Sequence, residues 1–256
     1  MNLDPYLACL HELAAVSRDV VLPYFARADL GVELKSDASP VTLADRGAEQ
    51  AMRELIERRF PDHGIIGEEY GNVREDAEFV WVLDPIDGTR SFISAVPLFV
   101  TLIGLLHRGR PLLGAIQQPV LGQLMIGDGR TTTLNGRPVR MRPMRDLSQA
   151  TLLTTDPLFA ARYQNGEGFA ALAARTALYR SWGDGYGYLL VAAGWADIML
   201  DPIMNAWDLI PLIPCIEGAG GRITNWQGGP ILEGNTLSAV ACGPELHDTV
   251  IRTLNP

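Results

Sequence analysis

Trp81-Val82-Leu83-Asp84-Pro85-Ile86-Asp87-Gly88-Thr89 is the stretch whose reading decides the fold. It closes a continuous apolar run, Phe79 to Leu83, of strand length. Such a run suits a strand buried on both faces. The strand delivers Asp84 to its C-terminal end, and a turn presents Asp87. Gly88 and Thr89 then open what reads as a helix, Arg90 to Ser94. Strand, acidic turn and helix start together offer carboxylates to a hard cation and N–H groups to an anion. The same residues also suit a plain Asp-Gly turn whose carboxylates satisfy backbone donors.

Downstream, Phe99 to Leu106, Pro111 to Gln117 and Gln123 to Ile126 are further strand-length runs joined by short Gly/Pro turns. They predict antiparallel hairpins. Upstream, apolar spacing predicts a helix over Leu3 to Ala26. A polar loop follows at Lys35 to Pro40, then a second helix from Thr42 to Arg59, capped by Thr42 and stopped by Pro61. Glu49, Arg53, Glu57 and Arg58 fall outside its apolar face. Asn135 to Leu147, with four arginines and two prolines, reads as a solvated junction.

Beyond it, strands at Thr151–Thr155, Ala196–Leu200, Arg222–Asn225 and Leu237–Ala241 alternate with helices. The helices are read at Phe169–Tyr179, Gly185–Gly194, Ala206–Gly218 and Glu245–Leu254. The expectation is a mixed α+β and α/β protein. An α+β half over 1–143 and an α/β half over 144–256 complete one compact unit.

The 256 residues carry a formal net charge of −9. That charge disfavours a nucleic-acid groove or an anionic membrane surface. It also repels a phosphate ester unless metal ions invert the field locally. Cys9, Cys215 and Cys242 are widely spaced and form no CxxC pair, so they read as buried reduced thiols. Polar residues interrupt the N-terminal segment, and no 18-residue apolar run follows. A cytoplasmic protein is expected.

Two further acidic elements bear on the first. Gly67-Glu68-Glu69 follows Ile65-Ile66 and can sit at a strand end, although two exposed loop glutamates would look the same. Trp207-Asp208 opens the helix leading to Ala219-Gly220-Gly221, where an aspartate can also serve as a simple N-cap. Together with Asp84-Pro85-Ile86-Asp87-Gly88-Thr89, these elements resemble the three signatures of the inositol-monophosphatase family. Their order and approximate separations match, from Lys35 to Gly221 at least.

That resemblance implies a layered αβαβα sandwich of the sugar-phosphatase type and phosphomonoester hydrolysis with two or three Mg²⁺ ions. It also implies a homodimer. Glu68, Asp84, Asp87, Asp208 and the Ile86 carbonyl then correspond to metal ligands, with Glu68 also counted in the catalytic set. Thr89 and Asp45 correspond to the pair that orients and deprotonates the attacking water. The N–H groups of Gly88 and Thr89 correspond to phosphate donors. The physics agrees, because two like charges ~4 Å apart at an effective dielectric of ~20 repel by roughly 4 kcal/mol. Four such carboxylates need cations or raised pKa values.

The leaving alcohol must be recognised by other residues. Asp201, seven residues before Asp208, and Asp184 align with substrate-contacting positions of the family. The latter is small and uncharged in inositol-selective members. A second carboxylate there favours a cationic ester, while as a plain feature Asp184 would cap the helix that follows. Arg90 stands where inositol-selective members usually carry a polar uncharged residue. These features resemble the histidinol-phosphate phosphatase branch and predict hydrolysis of L-histidinol phosphate in histidine biosynthesis. Inositol-1-phosphate phosphatase is the alternative. A nucleotide 3′-phosphatase, a fructose-1,6-bisphosphatase or a role in binding the transcription machinery comes after it. The expected partner is a small-molecule phosphate ester, with no nucleic acid and no membrane.

Overall fold

Residues 1–27, 29–35, 39–232 and 237–256 are described by the computed structural model. Eight strands form the first sheet, in the order Arg137–Pro138, Thr132–Leu134, Gln123–Gly127, Arg110–Gln118, Val100–His107, Phe79–Asp87, Gly64–Gly67, Gly71–Val73. Neighbours pair antiparallel except Gly64–Gly67 with Phe79–Asp87. The apolar run is therefore near the middle of the sheet and buried on both faces. The second sheet has the order Leu178–Arg180, Thr151–Leu153, Ile198–Met204, Leu237–Cys242, Arg222–Thr224.

Helices separate and cover the sheets. Asp4–Val21 and Leu43–Arg59 pack Leu10, Leu13, Met52 and Ile56 on Ile65, Trp81, Leu83 and Ile103 of the first sheet. Asp184–Ala192 and Leu212–Gly218 fill the space between the sheets, where Leu189 and Ile216 meet Leu102 and Ile116 on one side and Met199 and Ala239 on the other. Gly166–Arg175 and Pro244–Leu254 close the far face of the second sheet over Ile198, Leu200 and Val240. The result is the expected five-layer αβαβα sandwich.

A row of glycines sets how closely the middle layer approaches. Gly104 pairs with Gly114, and Gly114 with Gly127, across three adjacent strands. A Cβ on Gly114 would lie 1.9 Å from the Pro211 carbonyl oxygen, and one on Gly127 2.4 Å from that of Pro214. The helix backbone thus rests directly on the sheet.

Several local expectations change. The first helix ends at Val21 and continues as one 3-10 turn, Leu22–Tyr24, because Pro23 has no N–H to extend the α pattern. Ala206–Gly218 is not one helix but two, Ala206–Leu209 and Leu212–Gly218, interrupted around Pro211 for the same reason. The helix read as Phe169–Tyr179 stops at Arg175, and Leu178–Arg180 is an edge strand paired in parallel with Thr151–Leu153. A helix not anticipated, Pro157–Tyr163, starts on an Asp156 N-cap whose carboxylate accepts from Leu158 N. Of the polar loop, residues 36–38 lie outside the described residues, while Lys35 N donates to Ser39 O. Among the described residues no helix is long and apolar enough to cross a membrane.

Candidate active site

Residues three apart in a regular strand point to opposite faces, so Asp84 and Asp87 should diverge. They converge because the strand bulges between them. Asp84 pairs with Leu102 and Asp87 with Val100, three steps against two. Pro85 sits in the bulge, where its missing N–H breaks no ladder bond, and its carbonyl accepts from Thr101 Oγ1 at 2.8 Å. Leu83 and Ile86 both face the outer helices, while the two carboxylates reach the other side.

There they meet Asp208, carried by the short helix Ala206–Leu209 just upstream of the helix seated on the glycine row. Carboxylate oxygens of Asp84, Asp87 and Asp208 lie within 4.8 Å of one another. Burial, then the charges of Glu68, Asp87 and Asp208, push the Asp84 carboxyl well above its ordinary range. Burial, then Asp184 and Asp208, raise Asp87 likewise. Burial lifts Asp208 to about 6 against the hydrogen bond from Asn205 N at 3.0 Å. An all-oxygen set, buried at Asp84 and half-buried at Asp87 and Asp208, that carries this much repulsion fits a hard divalent cation.

The remaining residues surround this cluster. Lys35 Nζ bridges Glu68 Oε1 at 2.7 Å and Glu69 Oε1 at 2.6 Å. Burial lifts Glu69 to about 7 despite that bond. Asp45 Oδ2 accepts from Thr42 N at 2.8 Å and Thr42 Oγ1 at 2.5 Å, and burial raises its carboxyl to about 6. Thr89 Oγ1 donates to the Ile86 carbonyl at 3.0 Å. No hydrogen bond joins Thr89 to Asp45 among the described residues. Gly88, with φ +87°, turns the chain into the short helix Thr89–Ile93.

Beside the cluster opens a cleft of about 410 Å³. Glu68, Gly88, Thr89, Arg90, Thr155, Asp156, Phe159, Asp184 and Asn205 are among its walls. Arg90 is the one cation among the described residues that line it. Asp184 has φ +50° and donates its N–H to Thr155 Oγ1 at 2.8 Å. The next residue, Gly185, donates its N–H to Asp87 Oδ2, and a Cβ there would lie 2.7 Å from that oxygen. Burial, then Asp201 and Asp208, lift Asp184 to about 7, while Arg90 draws it down. Asp201 is not among the cleft residues. It is buried and accepts from Tyr188 OH at 3.1 Å and Thr155 N at 3.2 Å.

Sequence reasoning missed Glu49, placed there on a polar helix face. The structure buries it completely. Its carboxylate takes Arg53 Nε at 2.8 Å, Glu69 N at 2.8 Å and Tyr70 N at 3.1 Å, and so holds the turn that carries Glu68. A glutamate beside Gly67, where a Cβ would meet Glu49 Oε1 at 2.2 Å, has no local pattern to announce it. Asp156 and Phe159 were missed with their helix. The Asp-Pro start was a usable signal, since Asp caps well and Pro suits the first turn.

Comparison with known proteins follows the same lines. The sequence profile of the inositol monophosphatase family matches residues 2–256. The chain is 44% identical over 244 residues to an Arabidopsis thaliana protein named bifunctional phosphatase IMPL2, chloroplastic, covering 94% of this chain and 70% of that one. It is 38% identical over 237 residues to a histidinol-phosphatase of Chlorobaculum parvum, covering 92% of each. A solved inositol monophosphatase from Zymomonas mobilis shares the fold with a TM-score of 0.89 and 36% identity, over 100% of both chains.

Proposed function

Because this chain belongs to the inositol monophosphatase family and is a phosphoric monoester hydrolase, we propose that it hydrolyses L-histidinol phosphate to L-histidinol and phosphate with Mg²⁺. The observation that carries the substrate is Asp184. It places a carboxylate in the cleft beside the acidic cluster, where an ester bearing an amine and an imidazole gains and a neutral polyol does not. The likeness to a histidinol-phosphatase supports the same reading. The reaction would be the dephosphorylation step of histidine biosynthesis.

In this reading Glu68, Asp84, Asp87, Asp208 and the Ile86 carbonyl hold the metal. Bound there, Mg²⁺ supplies positive charge to the phosphoryl oxygens and acidity to a coordinated water. The Thr89 hydroxyl spends its proton on the Ile86 carbonyl, so it meets the attacking water as an acceptor. Asp45, fixed by Thr42, takes the water proton. The N–H groups of Gly88 and Thr89 orient the phosphate. A second phosphate would find no cation besides Arg90 among the described cleft residues, which disfavours a nucleotide 3′-phosphatase.

The whole-chain likeness to an inositol monophosphatase favours inositol-1-phosphate as the second reading. Measuring kcat/KM for both esters with Mg²⁺ separates the two. L-histidinol phosphate is expected to lead by about 100-fold, roughly 2.7 kcal/mol of discrimination. Asp184→Asn is expected to cut that ratio about tenfold, by removing one charge of the order of 1.4 kcal/mol. Equal rates, or a lead for inositol-1-phosphate, would sink the histidinol phosphate reading.

A further inference from the structure

The cleft wall carries a further acidic position, Asp156, at the start of the helix that bears Phe159. We infer that Phe159 and Asp156 form the subsite for the imidazole of the substrate, Phe159 stacking on the ring and Asp156 accepting its N–H. This rests on the histidinol phosphate reading above and deepens it.

Three observations carry it. First, Phe159 is half-buried and lines the cleft. Tyr163, one helical turn on, packs against it edge to face, with centroids 5.5 Å apart and planes at 89°. The ring is held in place and offers apolar surface to a flat ligand. Second, one oxygen of Asp156 caps the helix through Leu158 N at 2.9 Å. The other takes no hydrogen bond among the described residues, so it can accept from an N–H that arrives with the ligand.

Third, the two aspartates line one cleft, and Asp184 stands against the turn that offers N–H groups to the phosphate. A Cβ on Gly88 of that turn would be 2.9 Å from Asp184 Oδ2. Asp156 follows Thr155, whose hydroxyl receives the Asp184 N–H, so the two carboxylates share one wall. In L-histidinol phosphate the amine is two carbons from the ester oxygen and the imidazole lies beyond it. The amine therefore falls to Asp184 and the ring to Asp156 and Phe159. An ester with no ring leaves this subsite empty.

The test compares L-histidinol phosphate with L-alaninol phosphate, the same amino ester with hydrogen in place of the imidazole. Phe159→Leu keeps the apolar bulk and removes the ring, and Asp156→Asn keeps the helix cap and removes the charge. Each is expected to lower kcat/KM for L-histidinol phosphate about tenfold, Phe159→Leu by losing a stacked ring and Asp156→Asn by losing a charged hydrogen-bond acceptor. L-alaninol phosphate should stay within about twofold of wild type, since it makes neither contact. Equal losses on both esters would mean a structural role and overturn the subsite. Unchanged rates on both would overturn it too, while leaving the substrate reading intact. If wild-type protein shows no preference for L-histidinol phosphate over inositol-1-phosphate, that reading fails and takes the subsite with it.

Discussion

Asp87→Asn is expected to leave a folded protein that turns over phosphate esters at least about 10³-fold more slowly, the scale of losing one group that stabilises developing charge. The variant should also be the more thermostable of the two when metal is absent. Asp87 is crowded by Asp84, Asp184 and Asp208 in a buried site, and a neutral amide removes one party to that repulsion. Adding Mg²⁺ should reverse the order. A ligand at about 100 times its Kd stabilises the native state by ~2.7 kcal/mol, which for a chain of this size raises Tm by roughly 5–10 °C. Scanning calorimetry of both proteins, in EDTA and in Mg²⁺, reads the crossing. A variant less stable than wild type in EDTA, or one that keeps its activity, would remove Asp87 from the metal site.

The same cluster gives the metal-free protein a pH dependence of definite sign. Asp45 and Asp208, held at about 6, and Asp184, held at about 7, all lie above the unfolded value of about 4. Folding then takes up protons at neutral pH. Their contribution to stability is present in full below about pH 4 and is lost as pH rises through 6 and 7. In EDTA, Tm should fall between about pH 5 and pH 8, and saturating Mg²⁺ should flatten the decline. A Tm that rises over that interval in EDTA would contradict the raised carboxyls.

Gly114→Ala is expected to be the most damaging small substitution away from the carboxylates. Its methyl would lie 1.9 Å from the Pro211 carbonyl oxygen, a backbone atom that cannot rotate aside. Relief requires the helix Leu212–Gly218 to lift from the sheet, and Asp208 lies just upstream of it. Overpacking of this kind costs about 1–3 kcal/mol or more, a Tm loss of roughly 2–12 °C. Metal affinity should fall with it, because Asp208 moves relative to Asp84 and Asp87. Calorimetry and a Mg²⁺ titration measure the two effects. A variant with wild-type Tm would mean that the glycine row does not set the spacing of the layers.

Much of this arrangement is legible in the sequence. The run Phe79–Leu83 reads as a buried strand beside its hairpin neighbours, and Thr42 caps the helix it precedes. Local chemistry announces such features. The glycine row was hidden because Gly104, Gly114 and Gly127 come together only through strand register. Glu49 reads as one more charge outside the apolar face of its helix. Besides Arg53 it accepts from the amides of Glu69 and Tyr70, which no periodicity links to it. The convergence of Asp84 and Asp87 depends on a bulge that the single proline hints at without specifying. Leu178–Arg180 was lost because a three-residue edge strand carries too few residues to show an alternation.

The backbone of Asp184 has a consequence for anyone who engineers this protein. A left-handed conformation costs most L-residues about 1–2 kcal/mol, aspartate somewhat less and glycine nothing. The chain thus carries this cleft carboxylate on a backbone better suited to glycine, and a single base change converts an aspartate codon to a glycine one. A laboratory selection for heat resistance alone would find Asp184→Gly early and, on the histidinol phosphate reading proposed above, would trade substrate discrimination for robustness. Libraries aimed at stability should therefore hold position 184 fixed, or screen each winner on a cationic and a neutral ester together.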